Sequence, residues 1–275
     1  MRWVFTFIAV VFQLVLFSER VAAQHTDHSS SSIVDGTKER SNDSKKNTYS
    51  SAPGWPSPVD DSAWHSYLTA EIFEYRNNES KDARWDVFGW YGGDYERVWF
   101  KSEGAASTEA SAGRGDVQLL YGRLISRYFD LQMGLRNEQI WENNNAIHSE
   151  TSASIGVQGL APYYFDIEPT LFVTETGAVL ARFTGVYDFQ LSQRLILQPR
   201  LEFSLSSESS ETFQRGSGLT DSEVSIRLRY ELHRKFAPYV GIAFEKSYGG
   251  TADFVRAEGD QLSEWMFVTG VRWWF

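Results

Sequence analysis

The sequence predicts an all-β protein, a transmembrane antiparallel β-barrel of about 12 strands with a disordered N-terminal arm. Three observations predict this fold. Runs of about ten residues alternate between apolar and polar from Trp64 onward, the connections between them alternate in length, and the chain ends on such a run at Phe275. Strands of that length match the ~9–11 residues that a tilted strand needs to cross a bilayer.

The composition excludes several classes of protein. The 275 residues are 42% hydrophobic and 15% aromatic, with a net charge of -10 and no cysteine. Without cysteine there is no disulfide framework, thiolate metal site or cysteine nucleophile. The acidic balance argues against a nucleic-acid partner.

The first 23 residues have the pattern of a signal peptide. Arg2 precedes an apolar stretch over residues 4–17, and Val21, Ala22 and Ala23 supply small residues before a cleavage site. The stretch is shorter than the ~20 residues of a membrane-spanning helix, so we expect cleavage after Ala23 and export.

Residues 24–63 are predicted to form a disordered periplasmic arm that ends in a Pro-rich linker at residues 53–58. The arm is rich in Ser, Asp, Asn, Lys and Thr and has too little apolar surface to offset the entropy of ordering. His25 and His28 flank Asp27 in this arm.

The barrel itself is predicted over residues 64–275. In residues 194–206, for example, leucines and Phe203 share one face while charged and polar residues take the other. The predicted strands are 65–76, 84–91, 95–103, 115–123, 128–139, 151–160, 164–174, 178–188, 194–206, 221–233, 238–248 and 264–275.

The connections define two ends of the barrel. Four of them, at 104–114, 140–150, 207–220 and 249–263, are expected to be mostly long polar loops, and a tight turn at 175–177 weakens this pattern. The intervening connections are short. Outer-membrane barrels keep their short turns on the periplasmic side, and an even strand count places both termini there as well.

Alternation also predicts which charges face the lumen. We expect opposite charges on neighbouring strands to form ion-pair ladders that partly fill the interior, which argues against a wide, non-selective pore. The charges either neutralise one another or leave an acidic surplus that guides a cation. The predicted lumen charges are Arg97, Lys101, Asp130, Arg136, Glu138, Asp166, Glu168, Arg182, Arg194, Arg200, Glu202, Glu223, Arg227, Arg229, Glu231, Glu245 and Arg272.

The last strand carries the most specific local signal. Phe267, Thr269, Val271, Trp273 and Phe275 share one face, and the chain stops on the aromatic residue. A terminal aromatic of this kind resembles the tag read by the bacterial outer-membrane assembly machinery. The alternative is an ordinary buried C-terminal strand.

Many short blocks between Trp64 and Phe275 resemble the copper resistance protein B family. The blocks are 74–76 (EYR), 89–95 (GWYGGDY), 99–104 (WFKSEG), 117–121 (VQLLY), 156–165 (GVQGLAPYYF), 193–200 (QRLILQPR), 227–231 (RLRYE), 236–241 (FAPYVG), 249–254 (GGTADF) and 270–275 (GVRWWF). The resemblance implies a Gram-negative outer-membrane barrel of copper resistance and copper ion homeostasis. It further implies work beside a periplasmic multicopper oxidase and periplasmic copper-binding proteins.

The chain departs from this family in its arm, which members often fill with Met and His. The methionines here are Met1, Met133 and Met266, and the arm keeps His25, Asp27 and His28. Two imidazoles and a carboxylate can chelate Cu(II), so the arm is either a copper loading site or a solvated tail. The lumen carboxylates proposed as a weak hard-ligand path for copper are Asp130, Asp166, Glu168, Glu202 and Glu223.

Enzyme motifs are not found: the sequence has no H-E-x-x-H, G-x-S-x-G or Gly-rich phosphate loop. His148 lies near Ser149, Glu150 and Ser152 in a polar stretch, which we interpret as loop composition. We therefore predict a barrel that is no enzyme and that binds or passes copper ions. The alternative is a structural barrel, or a small porin for another solute, with no copper role.

Overall fold

The structure is a computed structural model, and it describes residues 63–78, 81–142 and 146–275. These residues form one antiparallel sheet of thirteen segments. The strands are β1 His65–Arg76, β2 Asp82–Gly92, β3 Glu96–Ser107, β4 Gly113–Ser126, β5 Phe129–Glu142, β6 Ala146–Ala161, β7 Phe165–Thr174, β8 Val179–Val186, β9 Phe189–Gln190, β10 Leu195–Ser206, β11 Gly218–Tyr230, β12 Phe236–Ser247 and β13 Ser263–Trp274. They pair in chain order except that β8 and β9 both pair with β10.

The sheet closes on itself into a barrel. β13 pairs with β1, with Trp274 opposite Thr69 and Thr269 opposite Tyr75. The amide of Phe275 extends this seam by donating to the carbonyl of Leu68 at 2.8 Å. Closure gives the backbone groups of the first and last strands partners within the sheet, which a structure in hydrocarbon requires.

The closed sheet is a barrel of twelve strands within the described residues, as the alternation predicts. β8 and β9 are separated by Tyr187 and Asp188, and both pair with β10. They therefore occupy one position in the ring. The predicted strand ranges agree with those observed to within a few residues at nearly every end.

The two faces of the sheet reverse the usual arrangement of a water-soluble protein. On β4 and β5 the outward-facing Leu119 and Leu135 are each 61% exposed, whereas the inward-facing Gln118 and Arg136 are 2% and 4% exposed. Apolar side chains thus cover the outside and polar side chains fill the inside. This is the alternation that lets a strand face lipid on one side and a polar lumen on the other.

One end of the barrel, the short-turn end, carries the turns at 93–95, 127–128, 162–164, 191–194 and 231–235, together with the start of β1 and Phe275. The turn at 162–164 is a single 3-10 turn, Pro162–Tyr164. The other end, the long-loop end, carries the connections 108–112, 175–178, 207–217 and 248–262, together with the end of β1, the start of β2, the end of β5 and the start of β6. The short predicted turns are confirmed.

The prediction of long loops at 104–114 and 140–150 is wrong. Paired strand continues to Ala106 opposite Gly113 and to Glu142 opposite Ala146. The glycines that suggest a loop instead make room for aromatic rings. A Cβ at Gly104 would collide with the ring of Trp85, and one at Gly113 would collide with the ring of Trp141.

A helix replaces much of the predicted loop at 249–263. This helix, α1, runs Gly249–Glu258 in the connection between β12 and β13, and Gly259 ends it in the left-handed conformation with φ 88°. Ala252 is its buried residue. Among the described residues no helix is long and apolar enough to cross a membrane.

The lipid-facing band predicts how charge is tolerated on the outside of the barrel. Leu135 lies near the middle of β5, whereas Leu191 lies in a short turn with similar exposure. We expect Leu135→Arg to lower the free energy of unfolding in lipid by about 2–4 kcal/mol and Leu191→Arg by about 0–1 kcal/mol, because the cost depends on depth. Urea titration in vesicles measures both, and equal losses at the two sites would contradict a membrane-spanning band.

Candidate functional site in the barrel lumen

The lumen of the barrel is filled with charged side chains rather than open space. Ion pairs run through it from one end to the other, and many of their members are almost fully buried. The buried charged residues are Glu74, Arg76, Asp86, Lys101, Asp116, Arg136, Glu138, Arg200, Glu223, Arg227 and Arg229. Burying a charge costs desolvation free energy, so a buried charge is tolerated only where a partner of opposite charge compensates it.

One wall of the lumen carries a row of carboxylates on five consecutive strands. Asp86 of β2 lies opposite Glu103 of β3, which lies opposite Asp116 of β4. The row continues from Asp116 to Glu138 of β5 and from there to Glu150 of β6. Each of these residues lies three or four positions from the long-loop end of its strand. We call this row the first acidic row.

A second row of carboxylates lies on the other wall. Glu202 of β10 pairs with Glu223 of β11, Glu223 with Glu245 of β12, and Glu245 with Glu264 of β13. In this second acidic row Glu202 and Glu223 lie four and five positions from the long-loop end of their strands, Glu245 and Glu264 only two and one, and the side chain of Glu245 is 46% exposed. The row therefore leads from the buried lumen to the mouth.

Like charges directly opposite each other on adjacent strands are destabilising, and arginines that reach across the lumen compensate for them. Arg84 of β2 donates to Glu202 at 2.8 Å and also to Glu223. In the reverse direction Arg200 of β10 donates to Asp86 at 3.1 Å. These pairs join strands that are far apart in the ring.

Arg182 of β8 repeats this arrangement on the first acidic row. It donates to Glu103 at 2.9 Å and lies 3.5 Å from Asp116. The predicted ion pairs are therefore present, but the predicted geometry of ladders between neighbours is largely wrong. Neighbouring strands often carry the same charge, and the opposite charge comes from across the barrel.

Glu74 is the most completely enclosed carboxylate of the lumen. Its side chain is fully buried and accepts hydrogen bonds from Arg227 at 2.9 and 3.0 Å, from Arg76 at 3.0 Å and from the Tyr239 hydroxyl at 3.1 Å. Arg76 continues to Glu223 at 2.8 Å. This cluster connects β1, β11 and β12 and stiffens the wall next to the seam.

Polar side chains also fill the lumen toward the short-turn end. Lys101 donates to Glu168 at 2.6 Å and to Gln158 at 3.0 Å, and Arg97 donates to Asp130 at 3.0 Å. A cavity of about 30 Å³ beside Lys101 has room for roughly one water molecule. Its acidic lining residues are Glu71, Asp86, Glu103, Asp166 and Glu168.

At the long-loop end, residues 207–217 fold over the mouth. Phe213 in this connection is 6% exposed, and its carbonyl accepts from Arg114 at 2.5 Å. Arg215 donates to Glu138 at 2.7 Å. α1 lies against the same connection, with the amide of Gly216 donating to the Thr251 hydroxyl at 2.9 Å. The predicted loop at 207–220 is thus a structured cover.

α1 also places acidic groups at the rim. Gln214 donates to Glu258 at the end of the helix. Partial burial, with the nearby carboxylates of Asp260 and Glu142, raises the pKa of Glu258. Since Glu142 ends β5, the end of α1 lies near the rim across the mouth from β12 and β13.

The structure places the sequence-predicted site residues as follows. Asp130, Glu168, Glu202 and Glu223 are lumen carboxylates that accept from Arg or Lys. Asp166 lines the same cavity as Glu168. His25, Asp27 and His28 lie outside the described residues. Within residues 63–78, 81–142 and 146–275, no three or more His, Asp or Glu side chains are grouped to hold a metal ion.

Sequence reasoning missed much of the two acidic rows. Arg84, Asp86 and Phe88 share the lumen face of β2, so an apolar ring interrupts the polar pattern there. The register shift between Ala70 and Ile72 of β1 blurs the alternation before Glu74. The alternation within each strand identified Glu138, Glu202, Glu223 and Glu245, but only the register between strands adds the other members and shows that the acids form rows.

The fold and the lumen together define the class of the protein: a transmembrane β-barrel whose lumen is closed by ion pairs and whose outside is apolar. The family model described as Copper resistance protein B precursor (CopB) matches residues 64–275. The chain belongs to the copper resistance protein B family.

Two relatives of known family agree with this assignment. The chain is 39% identical over 221 residues to Copper resistance protein B of Escherichia coli, covering 79% of this chain and 72% of that protein. It is 37% identical over 218 residues, with the same coverage, to the Copper resistance protein B homolog of Pseudomonas syringae pv. tomato.

Two solved porins are also similar to this chain. The KdgM porin has a TM-score of 0.46 at 10% identity, covering 75% of this chain and 98% of the porin. The NanC porin has a TM-score of 0.47 at 12% identity, covering 76% and 99%.

The buried cluster around Glu74 generates a stability prediction. Arg227→Leu removes two hydrogen bonds to a fully buried carboxylate, and we expect a loss of about 3–5 kcal/mol in the free energy of unfolding. The double variant Glu74→Leu with Arg227→Leu should recover much of that loss, because no uncompensated charge remains. Denaturant titration of the folded barrel measures both.

The matched control is Arg256→Leu on α1, whose exposed guanidinium pairs with Asp253 of the same helix. That change should leave the free energy of unfolding within about 0.5 kcal/mol. A double variant as unstable as Arg227→Leu would show that the pair is not compensated as described.

Proposed function

We propose that this barrel is an outer-membrane component of copper resistance that binds or passes copper ions through its lumen. Family membership supports the copper role. The observation that carries the finer proposal is the second acidic row, which leads from buried Glu202 to the mouth at Glu264. Such a row offers a cation successive oxygen ligands.

The chemistry of the lumen favours Cu(II) over Cu(I). Its donors are carboxylate oxygens, which suit Cu(II), whereas Cu(I) prefers thioether and thiolate sulfur. Of the methionines in the described residues, Met133 is 44% exposed on the outside and Met266 packs with Ala243 and Val268. Carboxylates therefore provide the path, and arginines limit how strongly a cation is held.

The arm and the cell envelope complete the proposal. We infer that residues 1–23 direct export, that residues 24–63 form a periplasmic arm, and that His25, Asp27 and His28 load copper. The likeness to copper resistance proteins supports work beside a periplasmic multicopper oxidase and small copper-binding proteins. Phe275 serves recognition by the assembly machinery, and the lumen carries out no catalysis.

A purely structural role for the lumen is the competing function. It is favoured by the arginines, which neutralise the buried carboxylates and leave a cavity of only about 30 Å³. Deleting the gene and measuring survival and cell-associated metal over a copper series separates the two functions. Sensitivity to copper at concentrations that the parent strain survives supports the copper role, and unchanged tolerance contradicts it.

Copper titration of the purified protein tests where binding occurs. Glu245→Gln with Glu264→Gln removes two carboxylates near the mouth, and we expect at least about a tenfold loss of Cu(II) affinity at the lumen, as for other weakened metal sites. Glu211→Gln, an exposed carboxylate of the cover, is the matched control and should bind as the parent does.

The arm is tested in the same titration. Removing residues 24–60, or replacing His25 and His28 by alanine, should abolish a separate class of Cu(II) sites while the lumen sites remain. If the His25/His28 variant binds as much Cu(II) as the parent protein, the proposed loading role of the arm is contradicted.

A further inference from the structure

The connection between β10 and β11, residues 207–217, is built as a single folded unit, which we call the strap. Ser210 and Arg215 pair through their backbones, with N···O distances of 2.7 and 2.9 Å. Phe213 lies at the tip of this small hairpin, and the Arg215 guanidinium lies 5.4 Å from its ring centroid. Because the Ser210–Arg215 backbone bonds are made within the strap, its tip can keep its shape when it moves, while the amides of Ser207 and Gly216 hold its two ends to Val179 and Thr251.

The strap reaches the wall opposite its origin. Arg215 donates to Glu138 of β5 at 2.7 Å and lies 3.5 Å from Glu150 of β6. In the twelve-strand ring, β5 and β6 lie three to five positions from β10 and β11, and β4, whose Arg114 donates to the Phe213 carbonyl, lies five and six positions away. The strap therefore reaches across the mouth, above the end of the first acidic row.

The attachments of the strap to that wall are few and polar: the two contacts of Arg215 and the hydrogen bond from Arg114 to the Phe213 carbonyl. Its contacts with α1, from Gln214 to Glu258 and from Gly216 to Thr251, are polar as well. Water can replace such bonds once the strap lifts. Glu138 keeps Arg136 at 3.1 Å, so its buried carboxylate stays compensated without Arg215.

We propose that the strap is the gate of the lumen and that Arg215, clasped between Glu138 and Glu150, holds it closed. Lifting the strap uncovers the mouth and frees the outer end of the first acidic row for an incoming cation. The gate rests on the proposed function in one respect, the traffic of ions through the lumen. It makes no assumption about copper.

Single-channel recording in planar bilayers of the purified full chain, with KCl as the probe, tests the gate. Arg215→Ala is expected to raise the ratio of open to closed time by roughly tenfold or more, as for the loss of hydrogen bonds to a charged group. Arg256→Ala on α1 is the control, since its exposed side chain pairs within the helix, and its ratio should equal that of the parent. An unchanged ratio for Arg215→Ala overturns the proposal.

A reversible cross-link provides a second measurement that does not depend on weakening the protein. The natural chain has no cysteine, so Glu150→Cys with Arg215→Cys can be joined by a reducible bifunctional thiol reagent. Cross-linking should abolish openings and reduction should restore them, while Glu150→Cys alone should not respond to the reagent.

Conductance that persists after cross-linking overturns the gate, as does a lumen that never conducts in any variant. Neither result touches the copper titration, which tests binding by itself. Conversely, a strap that gates KCl in a protein that binds no copper would sustain the gate and remove the copper path.

Discussion

The structure depends on guanidinium groups that cross the lumen to meet rows of carboxylates. Arg84, Arg182 and Arg200 each start on one wall and end on carboxylates of another. Without them, directly opposed acids on adjacent strands would repel one another within a closed barrel. With them, the lumen becomes a polar core that takes the place of the apolar core of a water-soluble protein. The apolar residues are then free to face lipid.

The same arrangement limits and shapes the proposed transport. In a barrel held together by buried ion pairs each buried carboxylate needs a cationic partner, because an uncompensated buried charge is costly. A cation that enters must compete with arginines already in place. Along the second acidic row the side chain of Glu245 is 46% exposed, whereas those of Glu202 and Glu223 are 13% and 8% exposed. Affinity should thus fall inward as competition rises, which suits a protein that hands an ion on.

At the long-loop end, the strap and α1 cover the mouth of this polar core. The strap and α1 arise from the two longest connections of the described residues and meet at Gly216, where a Cβ would collide with the backbone of Gly250. That close contact explains why a glycine is needed in the strap. It also joins β10–β11 to β12–β13 at the mouth, so that the cover and the second acidic row belong to the same part of the barrel.

The amino-acid sequence was sufficient to predict the barrel, the number of strands, the lipid-facing residues and lumen carboxylates such as Glu202 and Glu223, because a period of two assigns each side chain to a face. It could not determine that Glu202, Glu223, Glu245 and Glu264 form one row, since register between strands is a property of pairing. Nor could it show that Arg215 closes the mouth or that residues 249–258 form a helix. Those features depend on which walls face each other across the lumen, and only the closed tertiary structure brings β5 and β6 within reach of a connection that begins at β10.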